Sequence, residues 1–145
     1  MIELIENDIS VGEYLYLRAK VGWRVLHETQ AQQAIDRSLY FVKAVNEKKE
    51  VIGMGRIVGD GAVICYIQDL VVIPEAQGEG IGSMIIEHLI RYVDSLREED
   101  TTMMLCLMCA KGREPFYISH GFTARPTADL GPGMIQYLNE KKIYK

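Results

Sequence analysis

Apolar and polar positions change period several times along the chain, and each change predicts an element. Met1–Ile5 reads as a short strand. Ser10 precedes a stretch in which Tyr14, Leu15, Leu17 and Val21 recur at helical spacing, and Glu13 completes a capping-box pattern with Ser10. Thr29 is placed to cap a second, polar helix over Ala31–Asp36. Leu39–Val45 and Val51–Val58 read as strands, and Gly59-Asp60-Gly61 marks a hairpin turn into Ala62–Ile73. That third segment, AVICYIQDLVVI, is apolar on both faces, as central strands are.

Pro74 ends it, the loop EAQGEG follows, and a helix is predicted from Ile81 to Leu96. Its stripe runs through Ile81, Ile85, Leu89 and Val93. Met103–Cys109 shows no alternation and reads as another buried strand. A short helix over Arg113–Ser119 stops at Gly121, and Phe122–Arg125 and Met134–Leu138 read as two closing strands. Strand, helix and strand from Ala62 to Cys109 form a βαβ unit with parallel strands. The fold class predicted is mixed α/β, a mostly antiparallel sheet of six to seven strands with helices on both faces.

The length, 145 residues, fits one domain. With 48% apolar and 25% charged residues the chain is neither disordered nor a coiled coil. Sixteen basic against 20 acidic residues leave a net charge of −4, which disfavours a nucleic-acid partner. Three cysteines form no disulfide framework and suit a reducing compartment. No apolar run reaches the roughly 18 residues of a membrane span, and the acidic start MIELIENDIS is unlike a signal peptide. A cytoplasmic protein without membrane partners is the expectation.

The densest chemical signal is Gln77-Gly78-Glu79-Gly80-Ile81-Gly82, where a central strand turns into a helix. Glycines there let backbone N–H groups approach a ligand, and the first N–H groups of a helix, at the positive end of its dipole, suit a phosphate. A Walker loop lacks its lysine before Ser83, and a dinucleotide fingerprint lacks its third glycine, because Ile85 stands there. The alternative is a glycine-rich helix start used only for close packing.

Gln77, Gly80 and Gly82 fit the Gln/Arg-x-x-Gly-x-Gly/Ala loop of the GNAT superfamily of N-acetyltransferases. The longer stretch IQDLVVIPEAQGEGIG (67–82) resembles that family's central strand and loop, and Phe116-Tyr117-x-x-x-Gly121-Phe122 resembles its second signature. The resemblance covers about residues 40–125 and implies acetyl-CoA as cofactor. It places the pyrophosphate on Gln77, Gly78, Glu79, Gly80, Ile81, Gly82 and Ser83, and the pantetheine arm along the backbone of Leu70, Val71 and Val72. Glu79 stands where many relatives carry Lys or Arg, and Ala110 where many carry Asn. Lys111 and Arg113 fit a solvated basic turn or, beside the cofactor cleft, CoA phosphates.

Acetyl transfer needs a base for the amine, a donor for the oxyanion and an acid for the departing thiolate. A thiol near pKa 8.5 accepts a proton from a phenol near 10 when the phenol is positioned. By resemblance Tyr117 is that acid; otherwise it is a packed aromatic. The same resemblance implies a backbone N–H near Leu70–Val72 as the oxyanion donor. Asp69, a carboxylate in the most apolar strand, is a candidate base, or else satisfies a neighbouring loop. A chain of waters is the other base.

Cys106 and Cys109 fit buried thiols, and no metal site is read from His27, His88 and His120. Tyr14, Trp23, Arg24 and Tyr40 are possible acceptor-site residues. The expected activity is acetyl transfer from acetyl-CoA to a primary amine, of a small molecule rather than a protein. A non-catalytic acyl-CoA-binding module and a nucleotide-binding protein are the alternatives. Ile135–Tyr144 offers an edge for a homodimer.

Overall fold

The computed structural model describes residues 1–140. Two compact units divide the chain, Met1–Leu107 and the part from Met108 onward. The first holds a five-stranded sheet in the order β1 (Glu3–Glu6), β2 (Tyr40–Val45), β3 (Val51–Gly59), β4 (Ile64–Val72) and β5 (Met104–Cys106). Neighbours are antiparallel except β4 and β5, which are parallel. The expected mixed sheet and its βαβ unit are therefore present.

Helices cover both faces. On one, α1 (Val11–Lys20) packs with α2 (Glu28–Asp36) beside it. Ser10 and Glu13 close the predicted capping box, with Glu13 N donating to Ser10 Oγ and Ser10 N to Glu13 Oε1, both at 3.0 Å. The α1 face of the sheet presents Phe41, whose ring meets Tyr14 edge-on at 5.8 Å, and buried Lys43, whose Nζ donates to Glu13 Oε1 at 3.2 Å. On the opposite face lies α3 (Ile81–Leu96), with Ile81, Ile85, Ile86, Leu89 and Val93 buried as the stripe predicts. Gly53 and Gly55 let that helix approach. A Cβ at Gly55 would stand 2.8 Å from Leu89 Cδ1 and 2.9 Å from Ile85 Cγ2.

Several expectations change. Helix α2 begins at Glu28, after His27, and Thr29 lies inside its first turn. Glu28 supplies a negative charge at the positive helix end, which does part of a cap's work. Strand β5 spans three residues rather than Met103–Cys109, and Met104 is 49% exposed. A run without alternation suggested burial on both faces, but this strand is the sheet's edge.

Among the described residues no strand follows β5, so the sheet has five strands, not six or seven. The expected strand Phe122–Arg125 runs into a turn that engages its polar groups locally. Thr127 N donates to Leu130 O at 2.8 Å, Thr127 Oγ1 accepts from Leu130 N at 3.0 Å, and Arg125 Nε donates to Gly131 O at 2.6 Å. Met134, Ile135 and Leu138 are exposed and not in a strand. The proposed dimer edge Ile135–Tyr144 extends past residue 140 and so lies partly outside the described residues. No helix among the described residues is long and apolar enough to cross a membrane.

Among its described residues the second unit holds one helix, α4 (Glu114–Ser119), one residue shorter at its start than expected. Pro115 in its first turn needs no N–H partner, and Gly121, at φ +92°, ends it.

Candidate active site

Strand β4 begins beside β5 and leaves it. Their register pairs Ile64, Cys65 and Tyr66 with Met104, Leu105 and Cys106. From Ile67 to Val72, β4 runs beyond that pairing and exposes a stretch of parallel edge. A single 3₁₀ turn (Pro74–Ala76) then leads into the glycine loop. Gln77 closes the loop back on the strand, its Nε2 donating to Val72 O at 2.9 Å.

Gly78 and Gly80 take left-handed conformations, with φ of +83° and +80°. A Cβ at either would meet nothing within 4 Å. These glycines therefore serve backbone conformation and open space, unlike Gly53 and Gly55, which serve close packing. Gly80 is the N-cap of α3, without a side-chain cap, and the first turn carries no acid. Helix starts ordinarily engage their free N–H groups with such side chains. Here neither kind of side chain occupies the start, and the positive helix end at Gly80–Gly82 suits an anion. Glu79 is exposed, so its charge is screened by solvent. Gly82 and Ser83 are half-buried and Ile81 is buried. The loop thus has the backbone for a pyrophosphate.

Next to it, β4 contains a bulge. Arg56 pairs with Gln68 and Met54 with Val71, so Gly55 alone opposes both Asp69 and Leu70. Asp69 takes φ +56°, left-handed and unusual for a residue other than glycine. The bulge breaks alternation and turns the Asp69 side chain to the α1 face. Its carboxylate, on a side chain 1% exposed, accepts from Tyr14 OH (2.5 Å) and Arg56 Nε (2.8 Å) at Oδ2 and from Arg18 Nη1 (2.7 Å) at Oδ1.

Arg18 also donates through Nη2 to Arg24 O at 3.1 Å and lies over the Trp23 ring at 5.4 Å, while its buried Nε has no hydrogen-bond partner among the described residues. Arg56 Nη1 donates to Ser38 Oγ at 3.3 Å. Burial, reinforced by the Asp69 charge, pushes the Tyr14 phenol up to about 12. The folded chain then keeps a proton that the unfolded chain releases near pH 10. The stability tied to that proton is complete below pH 10 and is lost as pH rises toward 12, by about 2–3 kcal/mol. Urea unfolding from pH 8 to 11.5 should show this decline in the wild type and a smaller one in Tyr14→Phe.

In the second unit Tyr117 sits mid-helix in α4, half-buried, with Phe116 and Phe122 edge-on at 5.1 and 6.0 Å. Phe122 N donates to Tyr117 O at 3.1 Å, which folds the residues after Gly121 back on the helix. Burial raises the Tyr117 phenol, Cys109 adds to this, and Arg113 opposes it. The group is protonated throughout the neutral range, as an acid must be. Lys111 and Arg113 are exposed on the turn before α4. Cys109 is exposed rather than buried, its Sγ 3.1 Å from Ala110 O, with its thiol pushed up by desolvation.

Within the first unit, then, the loop residues Gln77–Ser83 and the bulged strand residues Asp69, Leu70, Val71 and Val72 succeed one another along β4 and into α3. Sequence reasoning missed Tyr14, Arg18 and Arg56 as partners of Asp69. A signal was available: Arg56 and Asp69 each interrupt an apolar strand, the two strands are joined by one hairpin, and buried opposite charges need each other.

A family model described as "Acetyltransferase (GNAT) domain" matches residues 36–124. The chain is 34% identical over 135 residues to "Histone acetyltransferase TAP1" of Glycine max, covering 86% of this chain and 57% of that protein. It is also 34% identical over 122 residues to "Uncharacterized N-acetyltransferase ycf52" of Gracilaria tenuistipitata var. liui, covering 81% of this chain and 63% of the relative. The chain thus spans less than two thirds of the length of these relatives. Among solved structures, protein SA2161 of meticillin-resistant Staphylococcus aureus superposes with a TM-score of 0.81 at 28% identity, over 94% of this chain and all of that one. The GNAT family protein SP0256 of Streptococcus pneumoniae gives 0.79 at 29% identity, over 97% and 99% of the two chains.

Proposed function

Because the chain belongs to the GNAT acetyltransferases, we propose that it transfers the acetyl group of acetyl-CoA to a primary amine of a small molecule. The observation that carries the cofactor assignment is the loop Gly78–Gly82. Its glycines hold left-handed turns with open space around them and lead into an α3 start without a side-chain cap. The backbone N–H groups of this loop from Gly78 to Gly82 hold the pyrophosphate, Gln77 ties the loop to Val72 O, and Lys111 and Arg113 are assigned to the remaining CoA phosphates. Acetyl-CoA supplies an activated acyl group. Along β4 the backbone of Leu70, Val71 and Val72 holds the pantetheine arm, and an N–H there donates to the carbonyl oxygen as it gains charge.

Tyr117 then gives its phenolic proton to the departing sulfur. The attacking amine loses its proton to a chain of waters, since both oxygens of Asp69 already accept from Tyr14, Arg18 and Arg56. The three free thiols fit a reducing, cytoplasmic setting. A second reading has one specific support: the relative named a histone acetyltransferase, which favours a lysine side chain as acceptor.

Cofactor choice is tested by thermal shift and calorimetry with CoA, ATP and NAD. At 100 times its dissociation constant CoA should stabilise the chain by about 2.7 kcal/mol, with no comparable effect from ATP or NAD. Gly80→Val places a β-branched side chain at φ +80°. The strain, about 1–3 kcal/mol, should weaken CoA binding about 5- to 150-fold. Preference for ATP or NAD would overturn the cofactor assignment in favour of a nucleotide-binding protein.

A further inference from the structure

The cluster around Asp69 has no part in the proton transfers above, yet it is the most heavily bonded polar group in the interior of the first unit. It draws three donors from two elements far apart in sequence: Tyr14 and Arg18 on α1, and Arg56 on β3. All three converge on the residue that adopts φ +56° at the bulge. A left-handed residue other than glycine persists where its surroundings over-determine it. Here they do: Asp69 cannot return to extended geometry without withdrawing its carboxylate from two guanidinium groups and a phenol. Arg18 holds its place although its buried Nε has no hydrogen-bond partner among the described residues.

The bulge controls the end of the strand. Two residues of β4 oppose Gly55 alone, so the direction of every backbone group after Asp69 is one step out of the alternation that precedes it. Those groups belong to Leu70, Val71 and Val72.

We propose that Asp69 is a positioning residue, clamped by Tyr14, Arg18 and Arg56, that fixes the left-handed bulge of β4 and so aims the backbone N–H groups of Leu70–Val72 at the thioester carbonyl. The proposal rests on the acetyl-transfer reading and adds how its oxyanion donors are held. Misplacing such donors by about 1 Å is enough to cost a large part of the rate. Arg18, through Arg24 O and the Trp23 ring, extends the same clamp to the loop between α1 and α2.

The test needs no acceptor. Acetyl-CoA labelled with ¹³C at the carbonyl is bound to the full chain, and the carbonyl resonance is compared with that of free acetyl-CoA. In the wild type it should move downfield, as a carbonyl accepting hydrogen bonds does. Tyr14→Phe removes one donor to Asp69 and leaves the ring in place, and Arg56→Gln is the second variant; near-UV circular dichroism checks that both are folded. Both should lose at least about half of the displacement, with CoA affinity unchanged within about twofold. Asp69→Asn, which keeps an acceptor oxygen and tolerates left-handed backbone, should retain more of it than Asp69→Ala.

A carboxylate acting only as a base, or only as packing, leaves the bound carbonyl where the wild type has it. Folded variants with the wild-type resonance would therefore overturn the clamp. So would a wild type that binds acetyl-CoA without displacement of the carbonyl. Failure of the wild type to bind acetyl-CoA at all would instead remove the acetyl-transfer reading and the clamp with it.

Discussion

Replacing Tyr117 by phenylalanine should lower acetyl transfer about 10²- to 10⁴-fold, the span over which a positioned general acid acts, while CoA affinity stays near that of the wild type. The substitution removes one oxygen and keeps the ring against Phe116 and Phe122, so the unit around α4 should keep its packing. The raised phenol pKa gives the pH dependence its sign. An acid must be protonated to act. Activity limited by Tyr117 should therefore persist past the ordinary tyrosine range, near pH 10, and fall only as pH rises through the raised value. In Tyr117→Phe that alkaline limb should be absent from the residual rate. Steady-state thiol release across pH 7–11, with calorimetry for CoA, checks both parts. Unchanged turnover in Tyr117→Phe would remove the phenol from the mechanism.

The second large effect is on stability. Asp69→Leu deletes the carboxylate that, among the described residues, alone forms ion pairs with Arg18 and Arg56, whose side chains are 13% and 12% exposed. Removing one partner of a buried charge cluster costs about 3–5 kcal/mol, because the remaining charges stay desolvated without compensation. That is a large share of the ~5–15 kcal/mol by which domains are stable. Reverting the charge imbalance should recover much of the loss. The triple variant Asp69→Leu, Arg18→Met, Arg56→Met should be more stable than Asp69→Leu alone, since apolar replacements of a whole buried ion cluster are often neutral. Urea denaturation midpoints at pH 7 compare the three proteins. A single variant within about 1 kcal/mol of the wild type would mean that water reaches the cluster and the charges are not buried as described.

These two residues also show how far the chain could be read before its fold was known. Helix α3 falls on its expected range, Ile81–Leu96, because a strong apolar stripe and a glycine start agree on it. The capping box at Ser10 and Glu13 likewise needs only local spacing. The glycine loop could be recognised from its residues, and its open geometry comes from Gly78 and Gly80 alone.

The features that escaped were non-local. Strict alternation puts Gln68 and Asp69 on opposite faces, and nothing in the run Ala62–Ile73 marks the bulge that defeats alternation there. The partners of Asp69 lie 13, 51 and 55 residues away, and only the fold brings them together. The closing strands failed for a related reason. Apolar residues at 122–125 and 134–138 say that a segment could pair, not what it pairs with, and the local bonds of Thr127 and Arg125 hold the first of them in a turn.

Acetyl transfer itself is tested most directly by free-thiol release from acetyl-CoA by the full chain against a panel of small primary amines, with a lysine-containing histone-tail peptide as a separate arm. The expected result is acceptor-dependent thiol release with at least one class of small amine, reduced in Tyr117→Phe, and an acetylated product of matching mass. Release with the peptide alone would contradict the small-molecule acceptor. Absence of release with every acceptor, while CoA still raises the melting temperature, would contradict acetyl transfer and leave an acyl-CoA-binding module.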